Sequence, residues 1–417
     1  MGAATPAGRG LSDERIMSVD ALRGFDMFWI IGADALVSAL NDITHTGVTA
    51  AISHQLSHKD WEGFAFEDLI FPLFVFLAGV SLVFSLGKTI EREGKWAAYR
   101  RVFYRAVLLY LIGIFYYGGF EHAWPTYVQD WGARAKEMRL LGVLQRIALC
   151  YLFAGFAFCT FRLRGMIVVC VALLAGYWAL MTFVPVPGAG AGSFVEGKNV
   201  DDKQYQPGKM ISVPVPVPVT KAGAGSFVEG KNLANWVDKQ YLPGRLWDRD
   251  HDPEGLLSTL PAIATCLLGV FAGLLLKNNT VSPGKKVLWL ALAGIVALGL
   301  GFLWGLQFPI IKKIWTSSYV LVAGGYSALL LAFFYLVIDV WKCRRWALVF
   351  IWIGMNPITL YLAENFVPFG RLSKRFVGGN IEHFMGVYAS LASAIVAIGL
   401  ILLLARFLYR RKLFLRL

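Results

Sequence analysis

The sequence predicts an all-α fold, a polytopic membrane helix bundle of about ten transmembrane helices with one long periplasmic loop. The composition, the spacing of apolar segments and the distribution of basic residues lead to this prediction. Hydrophobic residues make up 57% of the chain and charged residues only 16%, whereas soluble domains carry about 25% charged residues. A soluble protein could not cover so apolar a core, but a bilayer lets apolar side chains face lipid.

The apolar residues cluster in segments that are each close to the roughly 20 residues needed to cross the hydrocarbon core. The predicted spans are residues 18–40, 64–87, 102–120, 140–160, 165–184, 256–276, 287–306, 317–340, 346–367 and 384–405. They divide the chain into the first five helices at 1–184, the periplasmic loop at 185–255 and the last five helices at 256–417.

Basic residues concentrate in alternate connections. The net charge of +13 therefore indicates a membrane topology with both chain ends in the cytoplasm, by the positive-inside rule, rather than a nucleic-acid partner. No apolar segment with a small-residue cleavage site opens the chain, so we expect no removable signal peptide. The basic residues that break the rule, in connections predicted to lie outside, are Lys312, Lys313, Arg371, Lys374 and Arg375.

The placement of histidines indicates a site on the outer side. All of them fall in connections predicted to lie there: His45, His54, His58, His122, His251 and His383. Imidazole exchanges a proton near neutral pH and therefore suits a general base. For His45, His122 and His383 a solvated loop position is the simpler interpretation. A metal site is less favoured than a base because no HxxH or HExxH spacing is present, and we expect no metal.

His58 is the sharpest candidate among these histidines. It precedes the second span, which opens with Glu67 and Asp68. A carboxylate about one to three turns below a histidine can orient the ring or raise its basicity. The sequence therefore predicts His58 as the general base, with Asp68 or Glu67 in support.

The first span carries charges that lipid tolerates only at a cost: Asp20, Arg23, Asp26 and Asp34. A spacing of three places Asp20, Arg23 and Asp26 on neighbouring positions of one helix face. In a continuous helix Arg23 and Asp34, three turns apart, share that face, and Asp20 to Asp34 spans about 21 Å. A structural ion-pair network and a functional pocket both explain the first three charges, whereas Asp34 near the outer end favours function.

The long loop contains a duplication. AGAGSFVEGKN at 189–199 recurs identically at 222–232. Two copies are too few for a solenoid, so a flap over the outer face and an idle insertion remain as interpretations.

Asn356 and Pro357 lie in the middle of the ninth predicted span. Proline removes a backbone donor and bends a helix, so a structural kink is the simpler interpretation of Pro357. Asn356, and Glu364 nearer the outer surface, are candidates for the lining of a substrate pocket.

Five stretches together resemble a known family. They are SVDALRGFDMFW, HKDWEGFAFEDLIFPLFVFLAGVSL, MRLLGVLQRIALCYL, DPEGLLSTLPAIATCLLGVFAG and GMNPITLYL, and they run over nearly the whole chain. In this order they look like the heparan-α-glucosaminide N-acetyltransferase family, in its bacterial inner-membrane, NagX-like branch. The block from His58 to Phe74 is the most specific of them.

The resemblance implies that acetyl moves from cytoplasmic acetyl-CoA to the amino group of a glucosamine residue on the other side of the membrane. It also implies a homodimer in the bacterial inner membrane. The family's catalytic histidine corresponds to His58, and the same block supplies Trp61. The family has an asparagine where this chain has Asp34.

The candidate catalytic residues are therefore His58, Asp34 and Asp68. The candidate substrate-binding residues are Asp34, Glu67, Trp61, Asn356 and Glu364. The nucleotide end of acetyl-CoA is polyanionic and needs cations. The candidates for it are Arg23, Arg100, Arg101, Arg105, Arg146 and Arg345, although positive-inside topology alone explains Arg100, Arg101 and Arg345.

We expect direct transfer in a ternary complex, with an acetyl-His58 intermediate and ping-pong kinetics as the main variant. Two functions of other kinds also fit the sequence. One is a membrane O-acetyltransferase acting on envelope polysaccharide, and the other is a secondary sugar transporter, which intramembrane charges and a broken helix would suit.

Overall fold

The computed structural model describes residues 16–44, 46–118, 138–187, 225–248 and 251–415, which form an all-α bundle. The predicted fold class is therefore confirmed. The first half contains α1 (Met17–Phe28), α2 (Asp34–Thr44), α3 (Gly47–Gln55), α4 (Phe66–Glu93), α5 (Lys95–Gly118), α6 (Val143–Thr160) and α7 (Leu163–Phe183). The second half contains α8 (Leu233–Tyr241), α9 (Thr259–Lys277), α10 (Pro283–Gly305), α11 (Ser317–Phe334), α12 (Leu348–Gly354), α13 (Pro357–Phe366), α14 (Phe369–Val377), α15 (Asn380–Met385) and α16 (Ala389–Arg410).

Eight helical segments within the described residues are long and apolar enough to cross a membrane, as expected of a multi-pass membrane protein. Two of the ten predicted spans fall outside this set for different reasons. α5 carries Arg100, Arg101 and Arg105. The span predicted at 346–367 is divided into α12 and α13, each too short by itself.

The connections between the long helices fall at two ends of the bundle. We call the histidine end the one where His54, His58 and His251 lie, in connections that also include the turn between α10 and α11. We call the arginine end the opposite one, where α4 meets α5. Contacts there join Glu91 to Lys277, and Tyr99 to Thr160.

Glycine brings α1 and α12 into backbone contact. A Cβ atom on Gly24 would lie 1.7 Å from the carbonyl oxygen of Phe350, and one on Gly354 would lie 1.8 Å from that of Asp20. Small residues at such crossings let membrane helices approach closely. This contact fixes the depth of the charged first helix against the broken ninth span.

The first predicted span is not a continuous helix, which corrects one prediction. Between α1 and α2, a π-helical turn at Trp29–Ala33 contains non-helical torsions at Ile31 and at Gly32, where φ is +109°. Glycine accepts this torsion at low cost. The break resets the helix register, so the inference that Asp34 shares a face with Arg23 was wrong, and Asp34 is exposed.

The bend predicted at Asn356–Pro357 is confirmed. α12 ends at Gly354 and α13 begins at Pro357, with Asn356 in a non-helical conformation between them. Proline suits a first helical position because it lacks the donor that would be unpaired there.

Phe227 of the second copy of the duplicated segment and the helix that follows the copy, α8, pack on the histidine end of the bundle. Leu233 and Ala234 of α8 belong to a buried cluster with Tyr177 and Phe308. The first copy at 189–199 lies outside the described residues, as do His45 and His122.

We expect Gly24→Ala to destabilise the protein, because the added methyl group would overlap backbone atoms of α12 that cannot move aside. Overpacking of this kind costs about 1–3 kcal/mol. The midpoint of thermal unfolding of the purified protein in detergent measures the effect. Gly399→Ala is the matched control, because that position in α16 has open space. An unfolding midpoint for Gly24→Ala equal to that of the control would contradict the close contact.

Candidate active site

The centre of the site is a paired imidazole and carboxylate. Nδ1 of His58 lies 3.1 Å from Oδ1 of Asp68, whose side chain is fully buried in the first turn of α4. Oδ2 of Asp68 accepts hydrogen bonds from the backbone N–H of Ala65 at 3.0 Å and of Lys59 at 3.4 Å. An acidic residue capping a helix start in this way is favoured by the helix dipole. The structure thus brings together the two residues that the sequence paired.

Lys312 is a third member of this group and was not among the site residues predicted from the sequence. Its Nζ lies 3.0 Å from Nδ1 of His58 and 3.4 Å from Oδ1 of Asp68. It stands 254 positions from His58, so no local spacing connects them. The available signal was that Lys312 breaks the positive-inside pattern.

Carboxylates surround the pair on the side of α2 and α13. Glu67 interacts electrostatically with Asp34 and Asp26, and Glu364 interacts with Asp34. Asp34 and Glu364 are exposed, whereas Asp26 is buried. Negatively charged carboxylates near an imidazole attract a cationic ligand such as an ammonium group.

Trp61 is held by the second copy of the duplicated segment. Its indole N–H donates to the carbonyl oxygen of Phe227 at 2.8 Å, and its ring packs edge-on against His251 at 6.1 Å. Lys313 lies over the same ring at 5.9 Å from its centre. The loop therefore packs directly against the block that carries His58.

Lys313 also ties this loop to the bundle through charge. Its Nζ lies 2.6 Å from Glu229 and 3.2 Å from Asp248. Glu229, Asp248 and His251 bring donor atoms within 4.8 Å of one another, a set that can hold a metal ion, and the Lys313 ammonium lies against two of them. The absence of a metal from the function stays a prediction.

An apolar pocket lies one helical turn below Asp68. It lies between α1, α4, α6 and α13. Its lining residues are Met27, Ile30, Phe71, Phe74, Val143, Leu144, Ile147, Pro357, Ile358 and Tyr361.

Three buried polar side chains are next to lining residues in the sequence, in α1, in α6 and in the break before α13. Asp26, Gln145 and Asn356 each have both terminal atoms buried without a hydrogen-bond partner. Burial of such atoms costs free energy unless they gain a partner. Polar groups at membrane depth usually mark a site or a path, so these three side chains are candidates for contact with a polar ligand.

Two of the predicted arginines contact side chains of α4 near the arginine end. Arg101 donates to Thr89 at 2.9 Å, and Arg105 donates to Ser85 at 3.2 Å. The Arg105 guanidinium also lies over Tyr151, whose hydroxyl is buried without a partner. Arg105 is half-buried between α4 and α6, whereas Arg101 is exposed beside α4.

The structure does not bring the other predicted arginines to this place. Arg100 lies on the outer face of α5 among exposed aromatic residues, and Arg345 is exposed in the turn before α12. Arg23 donates to the carbonyl oxygen of Gly354 at 3.3 Å and to Ser81, and lies 3.5 Å from Asp20.

Arg146 lies at the opposite end of the bundle from Arg101. It is fully buried near the start of α6, at the histidine end. It donates to the carbonyl oxygen of Gly255 at 3.2 Å and to Ser258, and it lies over the ring of Trp315. These contacts anchor the loop before α9.

Comparison with known proteins adds the family. Residues 15–191 match the family model described as heparan-alpha-glucosaminide N-acetyltransferase, catalytic. The chain is 27% identical to human heparan-alpha-glucosaminide N-acetyltransferase over 410 residues, which cover 86% of this chain and 55% of that protein. It is 28% identical to the mouse protein over 410 residues, with 86% and 56% covered.

The chain is related to the heparan-α-glucosaminide N-acetyltransferases. The predicted resemblance is thereby confirmed. The chain spans about half the length of the curated relatives that it matches. The region matching the N-acetyltransferase model contains His58 and Asp68, whereas Lys312 and Asn356 lie beyond it. The candidate site therefore combines residues from within and outside the matched region.

Asp238 of α8 holds the loop before α9 in place at the histidine end. Its side chain is buried and accepts a hydrogen bond from the backbone N–H of Leu256 at 2.8 Å. Burial raises the pKa of Asp238 to about 6. The packed loop therefore binds the proton of Asp238 more tightly than the released loop does.

We expect the loop to pack more tightly at pH 5 than at pH 7.5. A carboxyl group with a raised pKa contributes stability that is present at low pH and is lost as the pH rises through about 6. Hydrogen exchange of the Leu256 amide, corrected for the intrinsic pH dependence, measures this. Asp238→Asn keeps the acceptor oxygen and is expected to remove the pH dependence. Equal pH dependence in both proteins would contradict the assignment to Asp238.

Proposed function

We propose that this protein transfers acetyl from cytoplasmic acetyl-CoA to the amino group of glucosamine, or of a glucosamine-containing sugar, on the periplasmic side. The observation that carries the proposal is the contact between His58 and buried Asp68, one helical turn from an apolar pocket between four helices. The names of the relatives support the same reaction class. In this proposal the histidine end faces the periplasm of a bacterial inner membrane, and the arginine end and both chain ends face the cytoplasm.

His58 acts as the general base. An amine attacks a thioester only as the neutral species, and it loses a further proton as the amide forms. Nδ1 of His58 faces Asp68, so Nε2 is the nitrogen that remains for the acceptor. Asp68 orients the ring and stabilises the imidazolium that forms when Nε2 takes a proton.

The acceptor enters past the carboxylates. Asp34 and Glu364 are exposed at the histidine end, and Glu67 continues the row to the first turn of α4 beside Asp68. Amino sugars are largely ammonium ions near neutral pH, so this row concentrates them at the site. Trp61, held by Phe227, offers an aromatic surface beside His58.

The donor fits the interior of the bundle. In this proposal the pantetheine arm passes the apolar pocket, and the buried unpaired amide of Asn356, next to the lining residue Pro357, is a partner for the thioester carbonyl oxygen. Arg101 and Arg105 lie beside α4 near the arginine end and suit the phosphate groups of the nucleotide. Acetyl-CoA is then the donor substrate, and no metal takes part. A homodimer, expected from the resemblance, belongs to the proposal as well.

We expect His58→Ala to lower kcat by about 10²–10⁴-fold, the range that a general base contributes, while acetyl-CoA binding is retained. Asp68→Asn is expected to lower it as well, because the ring loses its charged partner. The assay follows labelled acetyl from acetyl-CoA to glucosamine with the purified protein. His54→Ala is the control, since His54 is exposed on α3.

Full turnover by the His58→Ala protein would refute the base assignment. The same assay separates the two kinetic schemes. Intersecting double-reciprocal lines support the ternary complex and reject an acetyl-His58 intermediate. Acetyl recovered on oxygen rather than nitrogen would favour the O-acetyltransferase alternative.

We expect Arg101→Met and Arg105→Met to raise the KM for acetyl-CoA by about tenfold or more, because each loses a charge-assisted contact. The KM for glucosamine should stay unchanged, since these residues lie far from His58. Arg92→Met, at an exposed position of the same end, controls for a general loss of positive charge. A rise in the glucosamine KM alone would contradict the placement of the nucleotide.

A further inference from the structure

Lys312 lies in a turn between α10 and α11 whose backbone is firmly held. Its carbonyl oxygen accepts a hydrogen bond from the N–H of Trp315 at 2.9 Å. Trp315 has a φ of +52°, a left-handed torsion that is costly for a bulky side chain. Its indole is buried and donates to Thr265 at 3.1 Å. The surrounding structure maintains this strained residue, and the position of Lys312 is fixed as a result.

The same turn is joined to the segment that follows His58. The N–H of Gly63 donates to the carbonyl oxygen of Ile310 at 2.9 Å, and Glu62 and Ile311 form an antiparallel bridge. The backbones that carry the imidazole and the amine are therefore hydrogen-bonded to each other. Their relative placement does not depend on side-chain contacts alone.

Three atoms at the centre of the site form a triangle. Nδ1 of His58 lies 3.1 Å from Oδ1 of Asp68 and 3.0 Å from Nζ of Lys312, and Nζ lies 3.4 Å from Oδ1. Because Nδ1 carries at most one hydrogen, it cannot donate to Asp68 and accept from Lys312 at the same time. The triangle therefore has two alternative proton arrangements.

In the first arrangement, Lys312 is an ammonium that donates to both Nδ1 and Oδ1. The ring hydrogen is then on Nε2, and His58 cannot accept a proton there. In the second arrangement, Lys312 is a neutral amine and Nδ1–H points toward Asp68. Nε2 is then bare and able to act as a base.

We infer that Lys312 is a positioning residue that holds, through the His58 ring, the proton removed from the acceptor amine. This inference rests on the proposed function. The amine N–H bond breaks as H–Nε2 forms, and the Nδ1–H bond breaks as H–Nζ forms. The new N–C amide bond forms as the C–S bond of the thioester breaks, and coenzyme A leaves as a thiolate. The reverse movement returns the proton from Nζ through the ring to the thiolate, so the atoms and charges balance.

The surroundings of Lys312 suit this exchange. Burial lowers the pKa of Lys312, while the Asp68 carboxylate acts in the opposite direction. The other charged groups that act on the triangle are Glu67 on α4 and Glu254 before α9. A lysine that can lose its proton readily exchanges it with an imidazole, whereas an arginine keeps its charge.

The test compares Lys312→Arg and Lys312→Met with the full-length wild-type protein. Arginine keeps a cation against Nδ1 but cannot take up a proton, so we expect kcat to fall by about 10²-fold or more. Methionine leaves the pair of His58 and Asp68 without a competing cation, so it should retain more activity than arginine. Lys239→Arg, on the exposed side of α8, is the control. Wild-type kcat in the Lys312→Arg protein would overturn the inference.

The acid limb of the pH–rate profile gives a second readout. In the wild type, both the ring and Lys312 must lose a proton before Nε2 is free, so the limb reports the second deprotonation of a coupled pair. In Lys312→Met only one proton must leave, so we expect the limb to move to lower pH. A move to higher pH would mean that Lys312 is a fixed cation, and an unmoved limb would mean a packing role; either result overturns the inference.

Carbethoxylation of His58 by diethyl pyrocarbonate, followed by peptide mass spectrometry, needs no turnover. It requires an unprotonated ring nitrogen that is free to react, so reactivity should begin at lower pH in Lys312→Met than in the wild type. An identical pH dependence in the two proteins would refute the proton arrangement. Loss of the proposed acetyl transfer in the wild type would overturn the proposed function instead, and the labelling would still decide the role of Lys312.

Discussion

A carboxylate buried at the start of a long membrane helix needs partners on every side. Asp68 is fully buried, and it is satisfied by the backbone N–H groups of Ala65 and Lys59 and by the side chains of His58 and Lys312. An unpaired carboxylate in an apolar interior would be strongly destabilising. The backbone oxygen of the same residue accepts a hydrogen bond from Tyr319 of α11 at 2.7 Å. This one residue therefore draws together the segment after α3, the start of α4 and the turn before α11.

The sequence predicted those parts of the molecule that follow from local composition. Apolar length located the helices, and a spacing of ten residues placed His58 near Asp68. Lys312 was not predicted as a site residue because its contact with His58 depends on the path of the chain through several helices. The sequence did not predict the helix break at Gly32 for another reason. A single glycine in an apolar segment does not indicate whether its φ is positive. The sequence did predict the break at Pro357, because proline removes a backbone donor in any surroundings.

The two broken helices belong to one packed unit. α1 and α12 meet at Gly24 and Gly354, and each chain segment breaks shortly afterwards, at Gly32 and at Asn356. Breaks at membrane depth are tolerated only where protein or a polar cavity satisfies the backbone. Transporters use this device to present polar groups to a ligand in the membrane. Here the breaks lie near the apolar pocket, which in the proposed function lets the thioester approach His58 from inside the bundle.

The proposed function gives a reason for the separation of charge along α4. Asp68 and Ser85, the partner of Arg105, are 17 residues apart on this helix, which is about 25 Å at 1.5 Å per residue. Moving an ammonium sugar or a nucleotide phosphate over that distance through the bundle would be costly. A donor lying along the helix instead leaves its phosphates near the arginines and presents only a neutral acyl group to the base. Charged groups then stay at their own ends, and the chemistry can take place at the boundary where the imidazole, the carboxylate and the lysine meet.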